Sequence, residues 1–331
     1  MDYASSEQRF SSVSQEASAL WKNALLSIKN FIVTLWLFTV NDFKTMIFPS
    51  IAFATFYCLG SPRPSHLMPI TILLRRLPHL FCWTWINLLA FTVNNQRYPE
   101  AITEDRLNKP WRPIPAGRIS TRGAQILGIL AYIAAILTSL AVNGGLVQSL
   151  LLLGFGYVYN NRHNASKQGF LMRNFLNALG FTSFASGALD VLLQTGSTVS
   201  LLLLKDKDVL SWLCLLVAIV STTVHSQDLY DQVGDAAAGR KTIPLLFGDG
   251  PARWSIALGC VFWSFVATGY YWSSGSLGYL LTGSLAAMVV WRTLCLRSVE
   301  EDRTTFVVYN VWLTSIYALP LVARYGLFTA P

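Results

Sequence analysis

Charge is what this chain has least of. Only 13% of its 331 residues are Asp, Glu, Lys or Arg, against 53% hydrophobic residues and a mean hydropathy of +0.44. Soluble domains carry about 25% charged residues, so an ordinary soluble domain is excluded. Cysteine spacing of the metal or dithiol kind is missing too. Cys58, Cys82, Cys214, Cys260 and Cys295 stand singly in apolar segments with no CxxC pair, which leaves buried packing as their role. The first twenty residues are polar and mixed in charge, without an apolar core or a small-residue cleavage site, so a cleaved signal peptide is not expected. Nor does any basic helix or aromatic RNA-binding strand accompany the net charge of +8, which removes nucleic acid as a partner.

What the chain has instead is a series of long apolar runs. Nine segments, 43–60, 70–93, 121–142, 144–160, 170–194, 207–227, 252–272, 276–297 and 304–324, are long and apolar enough to be read as membrane spans. A tenth stretch, 31–40, is about ten residues long between Lys29 and Asn41-Asp42 and suits an interfacial helix better than a span. The expected fold is all-α and polytopic, with about nine transmembrane helices around a central cavity and a cytosolic cap. Residues 1–42 form an N-terminal segment and 43–331 the transmembrane domain. Fifteen Lys and Arg residues lie on the loops after the second, fourth, sixth and eighth spans and their edges, against six on the opposite side. The positive-inside rule puts the fifteen in the cytosol, with the endoplasmic reticulum as the expected membrane. Asn164-Ala165-Ser166 has the form of a glycosylation acceptor, but its loop then faces the cytosol and stays unmodified.

Two acidic clusters stand on those cytosolic loops. The second is Asp228, Asp231 and Asp235, followed by Gly239-Arg240-Lys241-Thr242-Ile243-Pro244. At about 100° per residue the three carboxylates fall within roughly 60° of one another on a helix, a face that repels itself unless cations occupy it. Hard oxygen ligands of this kind suit Mg²⁺, which commonly bridges carboxylates to substrate phosphates. The first cluster runs through Glu100, Glu104 and Asp105 into Asn108-Lys109-Pro110-Trp111-Arg112-Pro113 and Gly117-Arg118. Lys109, Arg112, Arg240 and Lys241 suit the phosphate oxygens themselves.

The tract from Asp228 to Pro244 is similar to DxxDxxGD followed by GxxTxP, and Asn108 to Gly117 is similar to NKPxRPIPSG. Both are motifs of the UbiA superfamily of intramembrane prenyltransferases, which the chain resembles over roughly residues 43–324. The first motif departs from the family's NDxxDxxxD. Counting back from Asn108 keeps Asp105 at the last acid but puts Ala101, Tyr98 and Arg97 at the earlier positions, with Glu104 the next candidate and Asn94 or Asn95 standing for the opening asparagine. Pro99 interrupts a helix here. The resemblance implies that Glu104, Asp105, Asp228, Asp231 and Asp235 bind Mg²⁺. It further implies that Lys109, Arg112, Arg240, Lys241, Tyr159, Lys167 and Asn177 hold the diphosphate of an isoprenyl substrate taken from the lipid bilayer. Asn174 belongs to the same polar lining. Asp190, toward the opposite end of its span, and His225, one turn before the second motif, are read as structural.

Within the superfamily the wording around Glu104 to Trp111 is most similar to the fungal membrane terpene cyclases. That likeness implies ionisation of an allylic diphosphate such as farnesyl diphosphate, followed by cyclisation. The alternatives are transfer of the isoprenyl group to an aromatic or other lipophilic acceptor and, in a different class, a cation or polyprenyl-phosphate transporter. Aromatic faces stabilise carbocations, and Trp83, Trp85, Trp263, Phe265, Tyr309 and Trp312 are the candidates for that task.

Overall fold

A computed structural model describes residues 23, 25–61, 63–160, 169–194, 206–271 and 274–326, and all the regular structure among them is helical. Helix α1 spans Leu25–Gly60 without a break, so the 31–40 stretch runs directly into the first span. Its winding changes on the way, to a 3₁₀ turn over Val40–Asp42 and a π turn over Phe43–Ile47, before regular helix resumes at Phe48. Such irregular turns re-aim side chains, and this one brings Asn41, Asp42, Lys44, Thr45 and Met46 to the central cavity. Below it come α2 (Ile70–Gln96) and the short α3 (Pro99–Asn108), then α4 (Thr121–Ala141) and α5 (Leu146–Asn160). Helix α6 (Phe170–Leu193) is followed by α7 (Lys207–Thr223), a 3₁₀ turn over Val224–Gln227, and α8 (Asp228–Ala237). The chain closes with α9 (Ile243–Phe247), α10 (Asp249–Tyr270), α11 (Gly275–Cys295), α12 (Val299–Tyr317) and α13 (Leu319–Gly326).

Helices occupy all nine segments expected to span. Five helical stretches are long and apolar enough to cross a membrane: α1, α4, α6, α7 with α8, and α11. A sixth is added if α12 and α13, bent by 46°, count as one broken span. Their burial orders the bundle. In α6 78% of the apolar window is buried inside the protein, against 28% in α4 and in α11, so α6 is the central post and the other two face outward. Close approach fixes α6 in place: a Cβ at Gly187 would collide with the Trp83 ring on α2. Trp83 is itself fully buried and donates its indole N–H to Ser139 Oγ at 2.9 Å. At the far end of α6, Asp190 accepts a hydrogen bond from the Gly145 amide at 2.7 Å. A buried carboxylate thus secures the turn between α4 and α5, the structural role read from its position. The five cysteines are all unbridged, and the expectation of buried packing holds for Cys58 and Cys260 but not for Cys82, Cys214 and Cys295, which are exposed on the outer surface of their helices.

Candidate active site

Two short helices carry the acids. Gln96 ends α2, and Pro99 stands in the first turn of α3, where a missing N–H costs nothing. The proline therefore starts a new helix that turns Glu104 and Asp105 inward, with 4% and 0% exposure. Helix α8 buries Asp228, Asp231 and Asp235. The two helices meet at Gly234, where a Cβ would lie 2.9 Å from Glu104 Cγ and closer still to the Asn108 amide. Only glycine lets the backbones approach that closely.

Every acid at this seam faces a cation. Arg112 donates to Asp105 Oδ1 at 2.7 Å, Arg240 bridges Asp235 at 2.8 Å and Glu104 at 2.6 Å, and Arg173 from α6 donates to Asp228 Oδ1 at 2.6 Å. Asp231 accepts from Lys109 Nζ at 3.0 Å and from the Asn108 amide at 3.2 Å. Burial pushes the Asp105 carboxyl up to about 6, against the pull of Arg112. Asp42 of α1 adds a further carboxylate 4.0 Å from Arg112.

The pairing is incomplete in a consistent way. Asp105, Asp228 and Asp235 each leave Oδ2 buried with no hydrogen-bond partner among the described residues, and so do Arg112 and Arg173 at Nε. Buried groups of this kind are costly unless something satisfies them. Because each carboxylate is turned toward a guanidinium or ammonium, no three acidic, His or Cys side chains among the described residues converge as a ready-made metal cage. The donor set is nevertheless all oxygen, with free carboxylate oxygens on both helices, and it fits a Mg²⁺ ion.

Below the seam lies a cavity of about 270 Å³. Glu104, Lys109, Arg112, Arg173, Asp231 and Arg240 line its mouth, together with Asn41, Asp42 and Lys44 of α1. Deeper in, the walls are Phe91, Leu152, Phe155, Leu176, Phe181 and Phe184. At 1.5 Å per residue, Phe184 sits about 16 Å along α6 from Arg173, so charge is confined to one end. Tyr159 and Asn177 line the cavity as well, and the Asn177 amide nitrogen is buried without a partner among the described residues.

Residues 46–316 match the UbiA prenyltransferase family. The chain belongs to that family. It is 30% identical over 299 residues to the fumagillin beta-trans-bergamotene synthase of Aspergillus fumigatus, covering 89% of this chain and 94% of that protein. It is 29% identical to a polyprenyl transferase of Hericium erinaceus, covering 88% and 94%. A UbiA homologue of Archaeoglobus fulgidus, solved with DMAPP and Mg²⁺, superposes with a TM-score of 0.56 at 14% identity over 90% of this chain and 99% of that one, a likeness of fold. The protein is thus an integral membrane enzyme of the UbiA type, whose relatives include both terpene synthases and prenyltransferases.

In this UbiA-type site, Glu104, Lys109, Arg112, Tyr159, Asn177, Asp231 and Arg240 line the cavity, while Asp105, Asp228 and Asp235 stand behind the basic residues. Lys241 is exposed and outside the lining. Lys167 lies outside the described residues. Asn174 is buried near Arg173, and His225 bonds Ser255 of α10 at 2.8 Å away from the cavity. The expected aromatic stabilisers need correction. Trp83, Tyr309 and Trp312 are fully buried in helix seams, Phe265 is 64% exposed, and none of the six lines the cavity. Their N–H and O–H groups tie helices together: Trp312 to Ser264, Trp263 to Thr222, Trp85 to Thr39 and Tyr309 to Thr223. Phenylalanines, which have no such group to satisfy, form the walls instead. Sequence reasoning also missed Asp42, Lys44, Arg173 and Arg303. For Arg173 a signal existed, since an arginine at a membrane edge beside an acidic motif calls for a partner.

Proposed function

We propose that the protein is a Mg²⁺-dependent membrane terpene cyclase that ionises an allylic isoprenyl diphosphate, farnesyl diphosphate first among them, releases diphosphate, closes the cation on its own double bonds and loses a proton to give a neutral hydrocarbon. The observation that carries this reading is the division of the cavity into a charged mouth and a phenylalanine-lined depth. Glu104, Asp105, Asp228, Asp231 and Asp235 would hold Mg²⁺, which when bound neutralises charge on the leaving diphosphate. Lys109, Arg112, Arg173 and Arg240 then exchange part of their carboxylate pairing for phosphate oxygens, and guanidinium forks suit that geometry. Leaving-group charge grows as the allylic C–O bond breaks, so cations fixed at the mouth lower the barrier. The apolar depth takes the isoprenoid tail, excludes water that would quench the cation, and presents aromatic faces to it. The excess of basic residues at this end supports a cytosolic mouth, in the endoplasmic reticulum membrane.

A prenyltransferase reading rests on one feature, the unpartnered Asn177 amide facing the cavity, which has the donor needed to hold a polar acceptor near the reacting carbon. The test is direct. Purified protein in detergent receives farnesyl diphosphate and Mg²⁺ without any acceptor. Cyclic hydrocarbon supports cyclisation, and a product that forms only when a phenolic or other lipophilic acceptor is added reverses the reading.

A further inference from the structure

We infer that Gly180 sets the length and folding of the isoprenoid tail the cavity accepts, a specificity role that rests on the reading of the cavity as a prenyl diphosphate site. Helix α6 presents residues 173, 176, 177, 180, 181 and 184 to the cavity. At about 100° per residue these positions span roughly 140° of the helix surface, with 180 near the middle. The other five supply an arginine, a leucine, an asparagine and two phenylalanines. Gly180 alone supplies no side chain. A Cβ built there meets nothing within 4 Å, unlike Gly187, about two turns further along the same face, where the Trp83 ring blocks any substituent. Its φ lies outside the left-handed region that calls for glycine, and glycine weakens a helix relative to alanine. Neither sterics nor backbone conformation requires glycine at this position, so what its missing side chain provides is space. That space opens about 10 Å along the helix from Arg173, between the charged mouth and the Phe181 and Phe184 walls. A tail anchored by its diphosphate at Arg173 and Arg240 passes this point midway, where it must either continue deeper or double back to bring a double bond to the ionised carbon.

The inference is tested with Gly180→Ala, Gly180→Val and Gly180→Leu, and with Gly154→Val as the control. Gly154 on α5 is also open around its Cβ but is absent from the cavity lining. Binding of the non-ionising geranyl, farnesyl and geranylgeranyl thiolodiphosphates with Mg²⁺ is measured by calorimetry, alongside thermal unfolding of the unliganded protein. The expected result is a graded loss: Gly180→Val weakens the longer analogues by about tenfold or more relative to geranyl, the scale of a pocket that loses room for a few methylenes. With farnesyl diphosphate itself the series shifts product from cyclic toward acyclic. Unliganded stability holds or rises, and Gly154→Val changes neither ratio. Equal weakening of all three analogues, or none, overturns the role of Gly180 while leaving the prenyl diphosphate reading intact. A wild type that binds none of them overturns the functional reading and the inference with it.

Discussion

Two buried arginine–aspartate pairs in this bundle have opposite characters. Arg253 on α10 and Asp302 on α12 meet through two parallel bonds of 2.7 Å. Arg253 also donates to Asp249 at 2.7 Å and to the Thr293 carbonyl at 2.9 Å. Arg173 on α6 and Asp228 on α8 meet through one bond, and each keeps a buried polar atom without a partner among the described residues. A closed fork satisfies both partners and serves as a fastener between helices. A one-armed pair leaves desolvated polar capacity that only a further ligand recovers. These two pairs therefore differ in their unused atoms, even though residue types and burial are the same.

Removing divalent metal should separate the two pairs most strongly. With a chelator in excess, turnover of farnesyl diphosphate is expected to vanish and to return on adding Mg²⁺, while the thermal unfolding of unliganded protein barely changes. Retained activity in chelator would sink the role given to the carboxylate oxygens. Next in size are the paired substitutions. Asp228→Asn, like Asp231→Ala, is expected to lower kcat by about 10²-fold or more and to leave the fold intact. Asp302→Asn breaks the closed fork and should cost about 3–5 kcal/mol of stability with Mg²⁺ dependence unchanged. Finding the two outcomes exchanged would dissolve the distinction drawn from the unused atoms.

Gly234→Ala probes the seam between the acidic helices themselves. Its Cβ would meet Glu104 and Asn108, so α8 must shift from α3 and spread the carboxylates. The expected signature is a higher Mg²⁺ concentration for half-maximal activity, about tenfold, because misplacement of charged groups by a fraction of an ångström weakens a shared ion. Near-normal Mg²⁺ dependence would show that the two helices do not act on one metal cluster.

Much of this site was legible in the sequence for a physical reason. The residues from Asp228 to Pro244 and from Asn108 to Gly117 lie on short continuous stretches, where helical spacing gathers the three aspartates on one face and the resemblance to the UbiA motifs supplies the basic residues. Asp42 and Lys44 were not legible, because they reach the cavity through a change of winding inside α1 that composition does not mark. Pro99 looked like an interruption and proved to be a helix start. The cavity walls were unreadable for another reason. In a membrane protein a phenylalanine facing a substrate tail and one facing lipid occupy equally apolar positions, so Phe184 and Phe265 differ only in the folded bundle, at 1% and 64% exposure. Helix count suffers similarly, since α2 carries Arg75 and Arg76 and α5 has only 15 residues.

The smallest effect concerns those walls, set against the α10–α12 seam. Phe155 lines the cavity and is only half-buried, whereas Trp312 is fully buried and gives its indole N–H to Ser264 at 2.9 Å. Trp312→Phe leaves the serine without that donor and a gap in the seam, costing about 1–3 kcal/mol of stability. It has no route to the product mixture. Phe155→Leu keeps apolar volume but removes an aromatic face, a contact with a cation worth about 2 kcal/mol when desolvated. In a cyclase that loss favours early quenching, so acyclic and alternative cyclic products should rise severalfold while the unfolding temperature stays within a degree or two. In a prenyltransferase the same substitution slows the reaction and leaves one product skeleton, because an acceptor captures the cation before any ring can form. Gas chromatography of the hydrocarbon fraction from both variants therefore decides two matters at once. If Trp312→Phe shifts the products and Phe155→Leu does not, the cavity described here is not where the cation reacts.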